Sequence, residues 1–213
     1  MIGAVVPVRT LDSAKLRLRR ALGDAAVERL VLAMLEDVVE ALRGAPALER
    51  VAVVTPDDRV AEVARALGAE ILLRPDPGLN ASVESAAAEI APNDGDGVLV
   101  VLGDVAGARS QDIQRLLDGA ERPGVALAPS NDGGTSALLR LPRDVIPAGF
   151  GPGSAKRHRE LAERAGVAFV EIALPSLAID VDEVEDLEAL RASAHAGPRT
   201  RVLLDELALG SEQ

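Results

Sequence analysis

Cysteine, tryptophan and tyrosine are absent from the 213-residue chain, and two phenylalanines are its whole aromatic content. Without cysteine there is no disulfide framework, no thiolate nucleophile and no cysteine-ligated zinc. The shortage of aromatic rings excludes the stacking platforms by which many proteins bind single-stranded nucleic acid. The core must therefore be built from valine, leucine, isoleucine and alanine.

Positive charge is also scarce, because 23 Lys and Arg residues stand against 34 Asp and Glu residues, a net charge of −11. A surface this acidic repels DNA, RNA and anionic membranes. The longest apolar runs, such as residues 98–102, are too short to span a bilayer, and no basic signal-peptide segment precedes the first of them. We expect a soluble, cytoplasmic protein with no nucleic-acid or membrane partner.

Short apolar runs alternate along the chain with segments whose apolar residues recur every three to four positions. This alternation predicts a single α/β domain over residues 1–213, with a mostly parallel central sheet between helices. Strands are expected at 2–8, 51–55, 70–73, 98–102, 125–128, 136–141, 168–172 and 177–181, and helices at 24–42, 56–67, 80–90, 110–118, 154–165, 182–193 and 198–209. Parallel sheets bind ligands at the carboxyl ends of their strands, so the chemistry is expected in the loops there.

The loop after the first strand concentrates positive charge. Five cations fall within 12 residues: Arg9, Lys15, Arg17, Arg19 and Arg20. The glycines of a Walker A loop or of a dinucleotide-binding fingerprint are missing. In an acidic chain the cluster favours a polyphosphate site, and a charged surface loop is the alternative.

Carboxylates end two of the predicted strands. Asp104 follows residues 98–102, and Asp180 lies at the end of 177–181. A carboxylate there is a common way to hold Mg²⁺ against phosphates, although a plain turn is the bland alternative for Asp104. Asp182, followed by Glu185, predicts a capping box for the next helix, which leaves Asp180 without a structural task. Asp104 and Asp180 could together form one Mg²⁺ site.

The segment 150–158 puts Lys156, Arg157 and His158 in the first turn of a predicted helix, where the macrodipole favours acidic side chains. The glycines before Ser154 would let the backbone approach an anion. Thr135, after two glycines, could add a donor. A glycine turn with a serine cap and exposed bases is the alternative.

Taken in order, these motifs resemble those of one family. They are Pro7-Val8-Arg9 with Ala14-Lys15, Leu79-Asn80, Gly103-Asp104, Gly133-Gly134-Thr135, Phe150-Gly151 with Ser154 and His158, and Asp180-Val181-Asp182 with Asp186-Leu187. The set resembles the phospholactate/phosphoenolpyruvate guanylyltransferases of deazaflavin coenzyme F-420 biosynthesis, over about residues 2–190. The resemblance implies a Rossmann-like three-layer sandwich of the glycosyltransferase-A-like nucleotidyltransferase type. It also implies attack by a phosphate oxygen of a small phospho-acid on the α-phosphorus of GTP, with release of pyrophosphate.

The resemblance further implies roles for individual residues. The nucleotide would be bound by Pro7, Val8, Arg9, Lys15, Leu79 and Asn80, the phospho-acid by Thr135, Gly151 and Ser154, and Mg²⁺ by Asp104 and Asp180, with Lys15, Asp104 and Asp180 catalytic. An ionised phosphate is already a nucleophile, so catalysis would come from positioning and charge neutralisation rather than from a general base.

Two departures from the family pattern leave alternatives open. Asp104-Val105-Ala106 replaces the usual Asp-Leu-Pro, and Arg9 stands where lysine is common. Another nucleotidyltransferase of this fold, such as a cytidylyltransferase for a cofactor precursor, is one alternative. A relative that binds nucleotide without turnover is the other. The acid (2-phospholactate, phosphoenolpyruvate or 3-phosphoglycerate) and the oligomeric state stay open.

Overall fold

The computed structural model describes residues 1–179 and 181–210, so Asp180 lies outside the described residues. Within them, seven strands form one sheet in the order β3-β2-β1-β4-β6-β5-β7. The strands are β1 (Ile2–Pro7), β2 (Arg50–Thr55), β3 (Glu70–Leu73), β4 (Gly97–Val101), β5 (Gly124–Pro129), β6 (Thr135–Leu141) and β7 (Ala168–Glu171). Only β6 runs antiparallel to its neighbours, which confirms the mostly parallel sheet.

The helices cover both faces of this sheet. They are α1 (Leu16–Leu22), α2 (Asp24–Arg43), α3 (Asp58–Ala66), α4 (Leu79–Ile90), α5 (Ser110–Asp118), α6 (Ser154–Ala165), α7 (Val184–Ala192) and α8 (Pro198–Gly210), with a 3₁₀ turn at Leu11–Ser13. Side chains alternate between the faces along each strand, so Val6 packs toward α2 and α5 while Val5 packs toward α4 and α6. The three-layer arrangement is confirmed. In the described part of the chain, no helix combines the length and apolar character needed to cross a bilayer.

The strand predicted at 177–181 is wrong in the residues described. Residues 175–178 form a turn, in which the Leu177 N–H donates to the Leu174 carbonyl at 2.9 Å. Leu174 and Leu177 are buried, so their apolar character reflects packing of the turn against the core. The Asn131 N–H donates to the Ala178 carbonyl at 2.9 Å, which ties this turn to the loop after β5.

The antiparallel direction of β6 decides where the chemistry can lie. Val101, at the end of β4, faces Ala137, which is near the start of β6. The first residue of β6, Thr135, therefore lies at the same edge as the residues that follow β1 and β4. Gly103 permits a close approach there, because a Cβ on it would lie 2.7 Å from the Val8 side chain.

A buried carboxylate fixes the C-terminal helix. Asp37, on α2, accepts hydrogen bonds from the Thr200 N–H at 2.9 Å, the Thr200 hydroxyl at 2.8 Å and the Arg199 N–H at 3.1 Å. Just before α8, the Gly197 N–H donates to the Ala106 carbonyl at 2.7 Å. The start of α8 is thus tied both to α2 and to the loop after β4.

Candidate active site

One continuous cleft runs along the carboxyl edge of the sheet. It consists of three adjoining pockets, all of which Leu79 lines. The β2 pocket is lined by Pro7, Val8, Arg9, Val54, Thr55, Pro56, Arg74, Asp76, Leu79 and Ser82. The central pocket is lined by Pro7, Val8, Arg9, Ser13, Ala14, Lys15, Val31, Leu79, Leu102, Gly103, Asp104 and Asp182. The β6 pocket is lined by Leu79, Leu102, Asp104, Val105, Ser130, Asp132, Gly134, Thr135, Ser136, Phe150, Gly151, Pro152, Ser154 and Asp182. With the open space at their mouths, the last two measure about 850 and 690 Å³.

Lys15 lies at the middle of this cleft. Its ammonium is 2.5 Å from Asp104 Oδ2 and 2.9 Å from Asp182 Oδ1, and only 7% of its side chain is exposed. The residue adopts the left-handed conformation, φ 52°, directly before α1. That conformation costs a non-glycine residue roughly 1–2 kcal/mol, and such strain is concentrated at functional sites.

The remaining cations of the cluster, Arg9 excepted, do not line the cleft. Arg17 pairs with Glu183, and Arg19 pairs with Asp24 while also donating to backbone carbonyls. Of the five cations, only Arg9 and Lys15 line the cleft. The interpretation of the whole cluster as one polyphosphate site is therefore too broad.

Asp182 was predicted as a helix cap, and that prediction is wrong. Glu183 is the N-cap of α7, and Asp186 Oδ2 accepts from the Asp182 and Glu183 N–H groups at 2.9 and 2.8 Å. The Asp182 carboxylate is thus available to Lys15. The acid at Asp186, three residues into the helix, was the sequence signal that the cap lies one residue later. The role of Asp180 as a Mg²⁺ ligand stays a prediction.

The two carboxylates fit a divalent cation. They converge on one point, since both lie within 2.9 Å of a single ammonium. Mg²⁺ is commonly held by one or two carboxylates together with water and substrate phosphates. Among residues 1–179 and 181–210, no cluster of three or more acidic, histidine or cysteine side chains could hold a metal ion. Asp104 and Asp182 would supply two ligands to such an ion, and water and phosphate oxygens would supply others.

Thr135 and Ser154 meet in the β6 pocket, as the phospho-acid role predicted for them requires. Both are buried, and the Ser154 hydroxyl donates to Thr135 Oγ1 at 2.9 Å. Gly151 lines the same pocket with φ +124° and open space beside its Cα. The three residues predicted for the phospho-acid therefore lie together.

Asn80 holds the backbone of the neighbouring loop. Its amide oxygen accepts from the Phe150 N–H at 2.8 Å, and its amide nitrogen donates to the Phe150 carbonyl at 3.2 Å. The helix α4 begins at Leu79, one residue before its predicted start, and Gly78 is its N-cap. Its role at the nucleotide stays a prediction.

The cations at the start of α6 do not face the cleft. Lys156 is 82% exposed and pairs with Glu160 at 3.8 Å, while the Arg157 guanidinium donates to the carbonyls of Gly149 and Pro152 at 2.6 and 3.1 Å. His158 is fully buried. Burial, together with nearby Arg140 and Arg157, lowers the pKa of His158 to about 4. It is thus a neutral interior group, not the third cation of an anion site.

We expect the protein to lose stability as the pH falls from about 6.5 to about 4. The pKa of His158 is lower in the folded state, so the unfolded chain is protonated first as the pH falls. Protonation lowers the free energy of the unfolded chain relative to that of the folded chain. At 1.36 kcal/mol per pKa unit, the loss approaches about 3 kcal/mol. Urea unfolding across this range, compared between the wild type and His158→Phe, measures it. Equal pH slopes for the two proteins would exclude His158 as the cause.

A mostly parallel sheet carries at its carboxyl edge a cleft lined by three cations, Arg9, Lys15 and Arg74, and by four aspartates. Clefts at this edge of open α/β sheets commonly bind nucleotides. A solved structure from Desulfovibrio desulfuricans G20, described as a nucleotide-diphospho-sugar transferase, matches with a TM-score of 0.78 at 18% identity over 98% of this chain and 95% of that one. That likeness establishes the fold. Together with the relatives below, it defines the protein as a nucleotidyltransferase.

The family follows from the sequence comparisons. The family model described as "Guanylyl transferase CofC like" matches residues 2–208. A phosphoenolpyruvate guanylyltransferase of Rubrobacter xylanophilus is 42% identical over 93% of this chain and 97% of its own length. A 3-phospho-D-glycerate guanylyltransferase of Phenylobacterium zucineum is 37% identical over 97% of both chains. The chain belongs to the CofC-like guanylyltransferase family.

Proposed function

We propose that this protein transfers GMP from GTP to the phosphate of a small phospho-acid, releasing pyrophosphate, in the cytoplasmic biosynthesis of deazaflavin coenzyme F-420. The observation that carries the proposal is the position of Lys15, buried between Asp104 and Asp182. This charge lies where the central and β6 pockets meet, because both carboxylates line both pockets. The α-phosphorus of GTP would lie near this point as the GMP unit passes from pyrophosphate to the acid.

In this proposal each of the three pockets would receive one part of the reactants. The triphosphate would lie in the central pocket against Lys15 and Arg9, with Pro7 and Val8 beneath it and Leu79 against the nucleoside. Asp104 and Asp182, and Asp180 by prediction from the sequence, would hold Mg²⁺. When bound, Mg²⁺ supplies charge neutralisation at the phosphates. Thr135, Gly151 and Ser154 would bind the phospho-acid beside Asp104.

Guanine suits the β2 pocket chemically. Asp76 lines this pocket, with Oδ1 accepting from the Gly78 N–H at 2.8 Å and the Ser82 hydroxyl at 3.2 Å, and with Oδ2 4.0 Å from Arg9. An ionised carboxylate only accepts hydrogen bonds. Guanine presents two adjacent N–H donors on its Watson–Crick edge, whereas adenine and cytosine each place an acceptor beside a donor. The carboxylate thus supports GTP over ATP or CTP.

The transfer needs little chemistry from side chains. A phosphate oxygen of the acid, already ionised, forms a bond to the α-phosphorus of GTP as the bond to the β-phosphate oxygen breaks. Lys15 and Arg9 neutralise the charge that passes to the leaving pyrophosphate, and the Thr135 hydroxyl, which Ser154 contacts, orients the attacking acid. Positioning and fixed charge supply most of the rate in such transfers.

Pyrophosphate release in the presence of Mg²⁺ tests the proposal. GTP is supplied with 2-phospholactate, phosphoenolpyruvate or 3-phosphoglycerate in turn, and CTP and ATP replace GTP in parallel reactions. We expect release with GTP and at least one acid. We also expect a loss of at least about 10²-fold in Asp104→Ala with a nearly unchanged melting temperature, since a group that acts on charge at the phosphates is removed.

Each other outcome would redirect the proposal. Release with CTP alone would make the protein a cytidylyltransferase. No release with any pair, although GTP still raises the melting temperature, would make it a nucleotide-binding relative without turnover. The relatives named for phosphoenolpyruvate and for 3-phosphoglycerate are similarly distant, at 42% and 37% identity, so the panel must include both acids.

A further inference from the structure

A histidine lies directly behind the β6 pocket. His158 is completely buried, with its ring edge-on to Phe150 at 5.3 Å between ring centres. The Gly149 N–H donates to its Nε2 at 3.0 Å, and its Nδ1 is 3.1 Å from Thr135 Oγ1. The imidazole thus links the loop that carries Gly151 with a hydroxyl of the cleft.

The hydrogen bond from Gly149 fixes the position of the ring proton. Because Nε2 is an acceptor, a neutral His158 carries its proton on Nδ1. Nδ1 must then donate to Thr135 Oγ1. The charged groups facing the ring are Arg140 from β6 and Arg157 from α6, and with burial they lower the pKa of His158 to about 4. The neutral form therefore predominates under ordinary conditions.

The Thr135 hydroxyl consequently receives hydrogen bonds from two sides. Ser154 Oγ donates to it at 2.9 Å and His158 Nδ1 at 3.1 Å, which uses its two acceptor positions. The proton of Thr135 is left to be donated to another group. Because Thr135 and Ser154 both line the β6 pocket, an anion in that pocket is the partner this arrangement favours.

We infer that His158 is a positioning residue that orients the Thr135 hydroxyl so that it donates into the β6 pocket, to an anionic oxygen of the phospho-acid. The inference rests on the proposed function, because that function supplies the anion. His158 itself does not touch the acid. It acts through Thr135, and it also supports the loop before Gly151 through Gly149.

Two substitutions at His158 separate donor orientation from simple filling of space. Phenylalanine and asparagine both lack an acceptor at the position of Nε2, so both lose the bond from Gly149. Only asparagine can place an amide N–H where Nδ1 lies. We expect His158→Phe to raise KM for the phospho-acid about tenfold, as loss of one hydrogen bond to a charged ligand would. We expect the KM of His158→Asn for the phospho-acid to stay within about threefold of the wild-type value. KM for GTP should stay unchanged in both.

Lys156→Ala is the matched control, because this residue lies on the same turn of α6 but is 82% exposed. It should leave every parameter unchanged. If His158→Phe does not fold, His158→Gln replaces it, because its longer side chain reaches the Nε2 position and leaves no donor at Nδ1. Its KM for the acid should rise in the same way.

Titration of phosphoenolpyruvate, 3-phosphoglycerate and 2-phospholactate into the wild type and the variants by calorimetry accompanies the kinetics. Equal KM for the acid in the Phe and Asn variants, or parallel rises for acid and GTP, would overturn the inference and leave His158 a packing residue. If the wild type turns over and the His158 variants have the same KM for the acid, the inference is contradicted but the proposed function is not. A wild type that neither turns over nor binds any of the acids contradicts the proposed function and the inference together.

Discussion

Lys15→Ala is expected to lower kcat/KM about 10²–10³-fold, the loss typical when one preorganised charge at a reacting phosphate is removed. The ammonium is buried where the central and β6 pockets meet and is held there by Asp104 and Asp182. Arg17 and Arg19 pair with Glu183 and Asp24, and Arg9, which lines the same pocket, lies 4.0 Å from Asp76, so we expect none of the three to replace the ammonium between Asp104 and Asp182. Steady-state pyrophosphate release, with the melting temperature recorded in parallel, measures the effect.

Lys15→Gly distinguishes the charge from the backbone strain. Glycine adopts φ 52° without the cost that a side chain incurs there, so this variant should be more stable than Lys15→Ala by about 1 kcal/mol and equally inactive. Arg17→Ala is the neighbouring control and should keep nearly full activity. If Arg17→Ala were as damaging as Lys15→Ala, the basic segment would act as one site, contrary to the contacts observed.

The sheet and most of its helices could be predicted because local patterns determine them. β3 at Glu70–Leu73 and α6 at Ser154–Ala165 have the predicted bounds, since a proline-containing loop, residues 74–78, follows the apolar run of β3 and Gly166 ends the periodic stripe of α6. The segment 177–181 shows where this fails. Leu177 and Val181 are buried, but burial alone does not distinguish a strand from a turn packed on the core.

The site could be predicted where a single residue suits a role, but not where two neighbouring residues suit the same role equally. Asp182 and Glu183 both precede α7, and only the three-dimensional path of the chain decides that Glu183 caps the helix while Asp182 turns to Lys15. His158 was missed for a different reason. Its place in the first turn suggested an exposed base, although Ser154, His158 and Ala162 recur at the helical spacing of a buried face.

The loop after Asp104 lacks the usual proline, and contacts from the C-terminal part of the chain restrain it instead. A Cβ on Gly107 would lie 2.2 Å from the His195 carbonyl and 2.5 Å from that of Ser176, so the loop is packed closely against both segments. The bond from Gly197 to the Ala106 carbonyl adds a second restraint. Contacts from the C-terminal segment thus hold the loop that carries Asp104, as a proline would do through the backbone itself.

Asp37→Ala should therefore weaken both the fold and the site. The substitution leaves the N–H groups of Arg199 and Thr200 without their buried carboxylate, at a cost of about 3 kcal/mol, or about 10 °C in melting temperature for a chain of this size. Since α8 restrains the loop after β4, kcat should fall severalfold even at temperatures where the variant is folded. Glu40→Ala removes an exposed partner of the same Arg199 and should change stability by less than about 0.5 kcal/mol. Equal losses from the two substitutions would show that the surface ion pairs, and not Asp37, hold α8, and unchanged kcat in folded Asp37→Ala would show that Asp104 does not depend on that helix.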